Sequence, residues 1–282
     1  MTRATRTPTS NDGAAVEPPM ACLEEVMSLT GGTGREIEAR VIETGAGPRV
    51  VFLHGLVGLN EHWQPVVDRV RTSLRCVRVE LPLLDLTGSD CSIQGVTDLT
   101  IAYLERAKAG PVVLVGNSFG GHVALRIALH RPDLVRGLVL AGSSGLFERT
   151  LVKGAPVRPP KDWLREKIAE LFYDAAYMRE EDVDRAHAVL STRQGARAMV
   201  RLSRTARRNH LGDQIGEIAC PTQLIWGKQD IVTPPSAAQG FLDLMPDARI
   251  TWVDRCGHTP MLEAPDTFAR ALVGFVGELD GR

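Results

Sequence analysis

The chain predicts an α/β fold built on a doubly wound, mostly parallel sheet with an inserted helical unit. Three observations carry that expectation. Apolar, strand-like runs alternate with helical patterns along most of its 282 residues. One stretch, 148–211, holds helical patterns and no buried strand, which is what an insertion between two sheet strands looks like. Between an apolar run at 111–115 (PVVLV) and a helical run at 121–129 (GHVALRIAL) stand Gly116-Asn117-Ser118-Phe119-Gly120, so G-x-S-x-G occurs in the strand–turn–helix context that gives it meaning.

The elements follow in order. Residues 1–20 are rich in Thr, Ser, Ala and Pro without periodicity and read as a disordered tail. Two strands, 36–42 and 49–53, flank the turn Gly45-Ala46-Gly47-Pro48. A helix is expected near 62–73, a strand at 75–79, and a helix near 96–107 before the strand at 111–115. Another apolar strand covers 134–141. After the insertion, entered through Pro156, Pro159 and Pro160, come strands at 222–226 and 249–253 and a closing helix at 265–279. The domain reading is a core of 21–147 and 212–282 around a helical insertion at 148–211.

Bulk properties narrow the function. Net charge is -1, so no global field favours nucleic acid or an anionic membrane. No apolar run approaches the roughly 18–20 residues that span a bilayer. Residues 1–20 lack the apolar core of a signal peptide, which points to the cytoplasm. The five cysteines (Cys22, Cys76, Cys91, Cys220, Cys256) are scattered and form no C-x-x-C, so neither zinc nor a disulfide framework is implied; buried, reduced thiols are expected.

Small residues around Ser118 let the backbone turn sharply and leave its hydroxyl exposed at the tip. An attacking serine needs a base, and the base needs an orienting group. His258, in Cys256-Gly257-His258-Thr259-Pro260, follows the strand at 249–253. Asp230, in Trp226-Gly227-Lys228-Gln229-Asp230, follows the strand at 222–226. Both therefore sit where open α/β sheets place their sites, at strand exits. The order Ser118, Asp230, His258 is that of nucleophile, acid and base drawn from successive strand ends. The oxyanion formed by attack needs two fixed donors. The backbone N–H of Phe119, at the start of a helix, supplies one, and the N–H of Leu56, in the turn His54-Gly55-Leu56, supplies the other. His54 and His122 read as structural, and His62, His130, His187 and His210 carry no signal.

With these residues in view, the chain resembles the α/β-hydrolase superfamily, in its esterase and lipase-like branch. The matching pieces are FLHG (52–55), GNSFGG (116–121), IWGKQDIVTP (225–234) and GHTPMLEAP (257–265), and the resemblance covers roughly 33–282. It implies that 148–211 is a cap over the site. Related enzymes carry a D-x-P-G-x-G-x-S loop where this chain reads Glu80-Leu81-Pro82-Leu83-Leu84-Asp85-Leu86-Thr87-Gly88-Ser89, so the pocket wall is expected to be bulkier and more apolar. Thr259 stands where relatives that split ring-fission products often have Trp. Serine at the elbow argues against the dehalogenase and epoxide hydrolase branches, which use aspartate there.

The expected activity is hydrolysis of a small to medium carboxylic ester, or a thioester, through an acyl-enzyme on Ser118, with no metal or organic cofactor. A carbon–carbon bond hydrolase and an acyltransferase would use the same triad. A ligand-binding protein without turnover is the alternative of another class. Arg193, Arg197, Arg201, Arg204 and Arg208 share one face of a helix, opposite Ala196, Met199, Leu202 and Ala206. That face is either simply solvated or attracts an anionic substrate. The insertion carries +5 and the remainder -6. No stripe marks an oligomer interface.

Overall fold

The structure is a computed structural model that describes residues 22–146 and 159–281. The tail expected at 1–20 and the entry to the insertion at 148–158 lie outside the described residues.

Among the described residues eight strands form one sheet: β1 (Cys22–Thr30), β2 (Glu36–Thr44), β3 (Arg49–Leu53), β4 (Arg75–Glu80), β5 (Val112–Asn117), β6 (Val135–Ala141), β7 (Thr222–Gly227) and β8 (Ala248–Val253). Their spatial order is β1-β2-β4-β3-β5-β6-β7-β8. β2 pairs antiparallel with β1 and β4, and every pairing from β4 through β3 to β8 is parallel. The two strands flanking Gly45-Ala46-Gly47-Pro48 are thus separated by β4. Gly45 and Gly47 adopt φ of +92° and +112°, and a Cβ at either would strike the backbone carbonyls of Arg71, Ser73 or Leu74. Glycine lets the chain turn tightly enough for β4 to come between.

The central strands are apolar on both faces because helices cover both. Val50 and Phe52 of β3, and Val113 and Val115 of β5, face α1 (Gln64–Val70) and α9 (Pro265–Asp280). Val51, Leu53 and Leu114 face α2 (Ile93–Arg106), α3 (Phe119–His130) and α7 (Pro235–Leu244). On α9, Phe268, Ala269, Leu272, Phe275 and Val276 are buried at the i, i+4, i+7 spacing of one helical face. Trp63, fully buried in a short turn before α1, packs between Phe52 (centroids 5.2 Å apart, tilted) and Phe268 (5.7 Å, edge-on). Each such apolar side chain contributes about 1.5–3 kcal/mol of burial.

β1 was not expected from the sequence. It is an edge strand whose Leu23 and Val26 are exposed, so it lacks alternating burial. Its cross-strand pairs hold it instead: Arg40 with Glu24 at 2.6 Å, and Thr30 Oγ1 donating to Glu36 at 2.7 Å. Buried Asp90 fastens the β1–β2 turn by accepting Gly32 N–H (2.7 Å) and Thr33 O–H (2.6 Å).

Between β6 and β7, the described part of the insertion holds α4 (Lys161–Ala169), α5 (Glu180–Leu190) and α6 (Arg193–Arg208) and no strand. Leu164, Val183 and Leu190 form a small core with Leu84 and Met199 packed against it. α6 buries Gly195, Ala198, Leu202 and Ala206, while Ala196 and Met199 are only half-buried, a shift of about 50° from the apolar face read in the sequence. The thiols also differ from expectation: Cys22 is exposed and Cys220 half-buried, with Cys76, Cys91 and Cys256 buried. Among the described residues no helix is long and apolar enough to cross a membrane.

Candidate active site

The site gathers at the carboxyl ends of β3, β5, β6 and β7 and in the loop after β8. Ser118 stands between β5 and α3 with φ +53° and ψ -118°, a conformation an L-residue adopts only when its surroundings impose it. The surroundings are glycines. A Cβ on Gly116 would lie 2.5 Å from Gly121 N, and one on Gly120 would lie 2.3 Å from Leu53 O. Backbone bonds fix the turn: Ser118 N–H donates to Ala141 O (3.1 Å), and Ser118 O accepts His122 N–H (3.2 Å) and Ser144 N–H (3.1 Å). Ser118 itself is half-buried and so reachable.

Asp230 follows β7 and is buried. Its Oδ1 accepts the N–H groups of Val232 (2.8 Å) and Thr233 (2.9 Å), and its Oδ2 accepts the Thr233 hydroxyl (2.8 Å). A buried carboxylate is tolerable only with its lone pairs satisfied in this way. His258, also buried, places Nδ1 2.8 Å from the same Oδ2. The structure therefore brings Asp230 and His258 into direct contact. Asn117, next to Ser118, ties the elbow to the His258 loop: its Nδ2 donates to Ala141 O (2.9 Å) and to His258 O (3.1 Å).

Phe119 is the first residue of α3, where no preceding turn supplies an acceptor for its N–H. Gly55 lies against the elbow, a Cβ there falling 3.5 Å from Ser118 Cβ, which brings the His54-Gly55-Leu56 turn to the nucleophile candidate. His54 is buried with Nδ1 2.8 Å from Gly55 O, and burial pushes its pKa down. An apolar pocket behind this turn is lined by Leu53, Val79, Leu81, Leu83, Phe119 and Val123. Leu83 stands in the pocket wall and Leu84 packs against the insertion's core.

Five residues escaped sequence reasoning. Asn117 and Thr233 were visible only as motif fillers. Gly142, at φ +48°, carries no motif, yet a Cβ on it would lie 2.8 Å from His258 Nδ1. Glu263 sits in the quoted GHTPMLEAP segment, and its contacts with the His258 loop were not foreseen. His62 was without signal, yet its Nε2 lies 3.2 Å from Asp182 of α5, across from the core to the insertion. Asp182 is held well below the usual carboxylate range by His62 and Arg179, against the opposing effect of its burial. Among the described residues no cluster of His, Cys, Asp and Glu suits a metal ion.

A mostly parallel sheet with a strained serine between its central strand and the following helix defines a class of hydrolytic α/β folds. The family described as Alpha/beta hydrolase matches residues 50–271, and the chain belongs to it. It is 27% identical over 249 residues to the pimeloyl-acyl-carrier-protein methyl ester esterase of Nitrosomonas europaea, covering 80% of this chain and 94% of that one. It is 30% identical over 280 residues to the 2-hydroxy-6-oxononadienedioate/2-hydroxy-6-oxononatrienedioate hydrolase of Paraburkholderia phymatum, covering 89% and 94%. Among solved structures it is similar to an α/β hydrolase enzyme from the sediment metagenome of the Mar Chica lagoon, Morocco, with a TM-score of 0.70, 29% identity, and 86% and 96% of the two chains covered.

Proposed function

We propose that the protein is a serine hydrolase that cleaves a carboxylic ester, or a thioester, of a small molecule. Ser118 Oγ attacks the carbonyl carbon while His258 takes its proton. Asp230 holds the His258 Nδ1 proton in place, fixes the tautomer and stabilises the imidazolium. The Leu56 and Phe119 N–H groups receive the tetrahedral oxyanion, each such donor contributing roughly a hundred-fold or more in rate. His258 then protonates the leaving alkoxide as the carbon–oxygen bond breaks. His258 then takes a proton from a water that attacks the acyl-enzyme carbonyl, and passes that proton to Ser118 Oγ as the acyl–oxygen bond to the serine breaks. The insertion at 148–211 acts as a cap over this site, and the leucines at 81, 83 and 84 favour an apolar acyl or alcohol group.

The observation that carries this reading is the Asp230–His258 contact at 2.8 Å, in a loop tied by Asn117 to a serine in a strained elbow. Hydrolysis of p-nitrophenyl esters from acetate to decanoate, by wild type and Ser118→Ala, tests it. Turnover should fall by roughly a thousand-fold or more in the variant. Equal turnover in both would sink the assignment of Ser118.

A second reading draws on the 30% identity to the dienedioate hydrolase. The same residues would then cleave a carbon–carbon bond in a 2-hydroxy-6-oxo-dienoate. Loss of the chromophore of such a dienoate, without ester turnover, would favour it.

A further inference from the structure

The buried carboxylate of Glu263 has no part in the chemistry above, yet it touches the chain on both sides of His258. Its Oε1 accepts Gly257 N–H at 2.9 Å and the Thr259 hydroxyl at 3.2 Å. Its Oε2 accepts Tyr173 N–H at 2.7 Å. Tyr173 belongs to the insertion, three residues beyond α4 and its cap. The same segment meets His258 directly, because His258 N–H donates to Leu171 O at 2.7 Å. Approach is so close that a Cβ on Gly257 would lie 2.5 Å from Leu171 O and 2.9 Å from Tyr173 N. Local structure explains how the carboxylate gets there. Thr259 precedes the short helix α8 (Pro260–Glu263), and Glu263 N–H donates to Thr259 O at 3.0 Å, so one helical turn folds the side chain back onto the loop that carries His258.

We propose that Glu263 is a positioning residue that couples the docked 171–173 segment of the insertion to the orientation of His258. A buried carboxylate holds its place only while its donors are present. One donor comes from the insertion, two from the residues flanking His258, and a weaker one from the Cys256 thiol, 3.7 Å from Oε1. Withdrawal of the 171–173 segment removes both the Tyr173 donor and the acceptor of the His258 N–H. His258 then keeps its bonds to Asp230 and Asn117 but loses the anchor of its own N–H, so the orientation of its imidazole is fully set only with the insertion docked. This inference rests on His258 being the general base.

The experiment compares wild type, Glu263→Gln and Tyr173→Pro. Glutamine keeps the size of the side chain but turns an N–H₂ toward one of the backbone donors. Proline removes the donor of the insertion alone, at a residue whose side chain is exposed. Steady-state kinetics on a p-nitrophenyl ester are read together with the low-field NMR resonance of the His258 Nδ1 proton and with melting by circular dichroism. For both variants kcat should fall by roughly ten- to a hundred-fold, the scale set by a misplacement of about 1 Å, with KM within about two-fold. The Nδ1 proton resonance should move or broaden. A lower melting temperature with wild-type kcat and an unmoved resonance would show that Glu263 only supports the fold. A loss in Glu263→Gln without one in Tyr173→Pro would overturn the coupling to the insertion. If Glu263→Gln fails to fold, Tyr173→Pro decides alone. If the wild type shows no Ser118-dependent turnover, the proposed function fails instead, and the resonance still decides whether Glu263 positions His258.

Discussion

Gly142 and His258 are closer than any other residue at position 142 would allow. A Cβ at 142 would sit 2.8 Å from His258 Nδ1 and 3.0 Å from Asp230 Oδ2, and the φ of +48° disfavours a side chain besides. The backbone at the end of β6 thus forms a wall against the Asp230–His258 pair. Gly142→Ala should push the imidazole away from that wall. Ester turnover should fall roughly ten- to a hundred-fold, the cost of a small misplacement. Unfolding free energy should drop by about 1–3 kcal/mol from backbone strain. Both are read by kcat/KM and denaturant titration. A wild-type rate would mean that the loop absorbs the methyl group and the wall does not set the pair.

Asp230 accepts hydrogen bonds from Val232, Thr233 and the Thr233 hydroxyl as well as facing His258. Its replacements should therefore be graded. Asp230→Asn removes the charge and permits the wrong His258 tautomer, so kcat should fall by roughly 10⁴-fold, as in other triads. Thr233→Val removes one hydrogen bond to a charged acceptor, worth about 1.5–3 kcal/mol, and should cost roughly ten- to a hundred-fold. Comparable losses in the two variants would show that Asp230 acts as a structural anchor rather than as the partner of His258.

The sequence revealed most of the sheet because its central strands are apolar on both faces and bounded by turn residues. It also placed Ser118, Asp230 and His258 at strand exits, and in the fold they follow β5, β7 and β8. What escaped it depends on partners far along the chain. β1 exists through pairing with β2 and shows little burial of its own. Helix α7 follows the Asp230 loop with Pro234 and Pro235 at its start, and its apolar residues Ala237, Ala238 and Phe241 make only a short face. The role of Gly142 depends on the approach of a loop more than 110 residues away, and that of Glu263 on a segment 90 residues upstream. Single-sequence periodicity carries no trace of such contacts.

His122, buried one turn into α3, should make the fold acid-sensitive. Burial, with the nearby Arg126 adding to it, holds its pKa down at about 4, against an ordinary 6.5. Between those values the unfolded chain binds the proton and the folded chain does not. Its contribution to stability is therefore fully present above about pH 6.5 and is lost as pH falls toward 4. The loss should reach on the order of 3 kcal/mol. Buried His54, also shifted down, adds in the same direction. Asp182, held low, weakens only below the usual carboxylate range and stays outside this window. Denaturant unfolding of wild type and His122→Leu at pH 5 and pH 7.5 checks the sign. The variant should show the smaller difference between the two pH values, and an equal difference would remove His122 from the acid response.

The arginines of α6 separate the two meanings of a basic face. Arg193, Arg197, Arg201, Arg204 and Arg208 are all exposed, while the helix buries the opposite side through Ala198, Leu202 and Ala206. Exposed charges act through water and salt, and at physiological ionic strength their reach is about 8 Å. An anionic substrate should therefore feel them only at low salt. Arg197→Gln with Arg201→Gln should change kcat/KM for an ester bearing a distal carboxylate by less than about two-fold at 0.15 M salt. At 0.01 M the screening length is roughly 30 Å, and the same variant should lose several-fold on that ester while a neutral ester of equal size is unaffected. A large loss at 0.15 M would place a guanidinium in direct contact with the bound carboxylate. That outcome would require the insertion to move on binding, since the side that carries these arginines faces solvent in the structure.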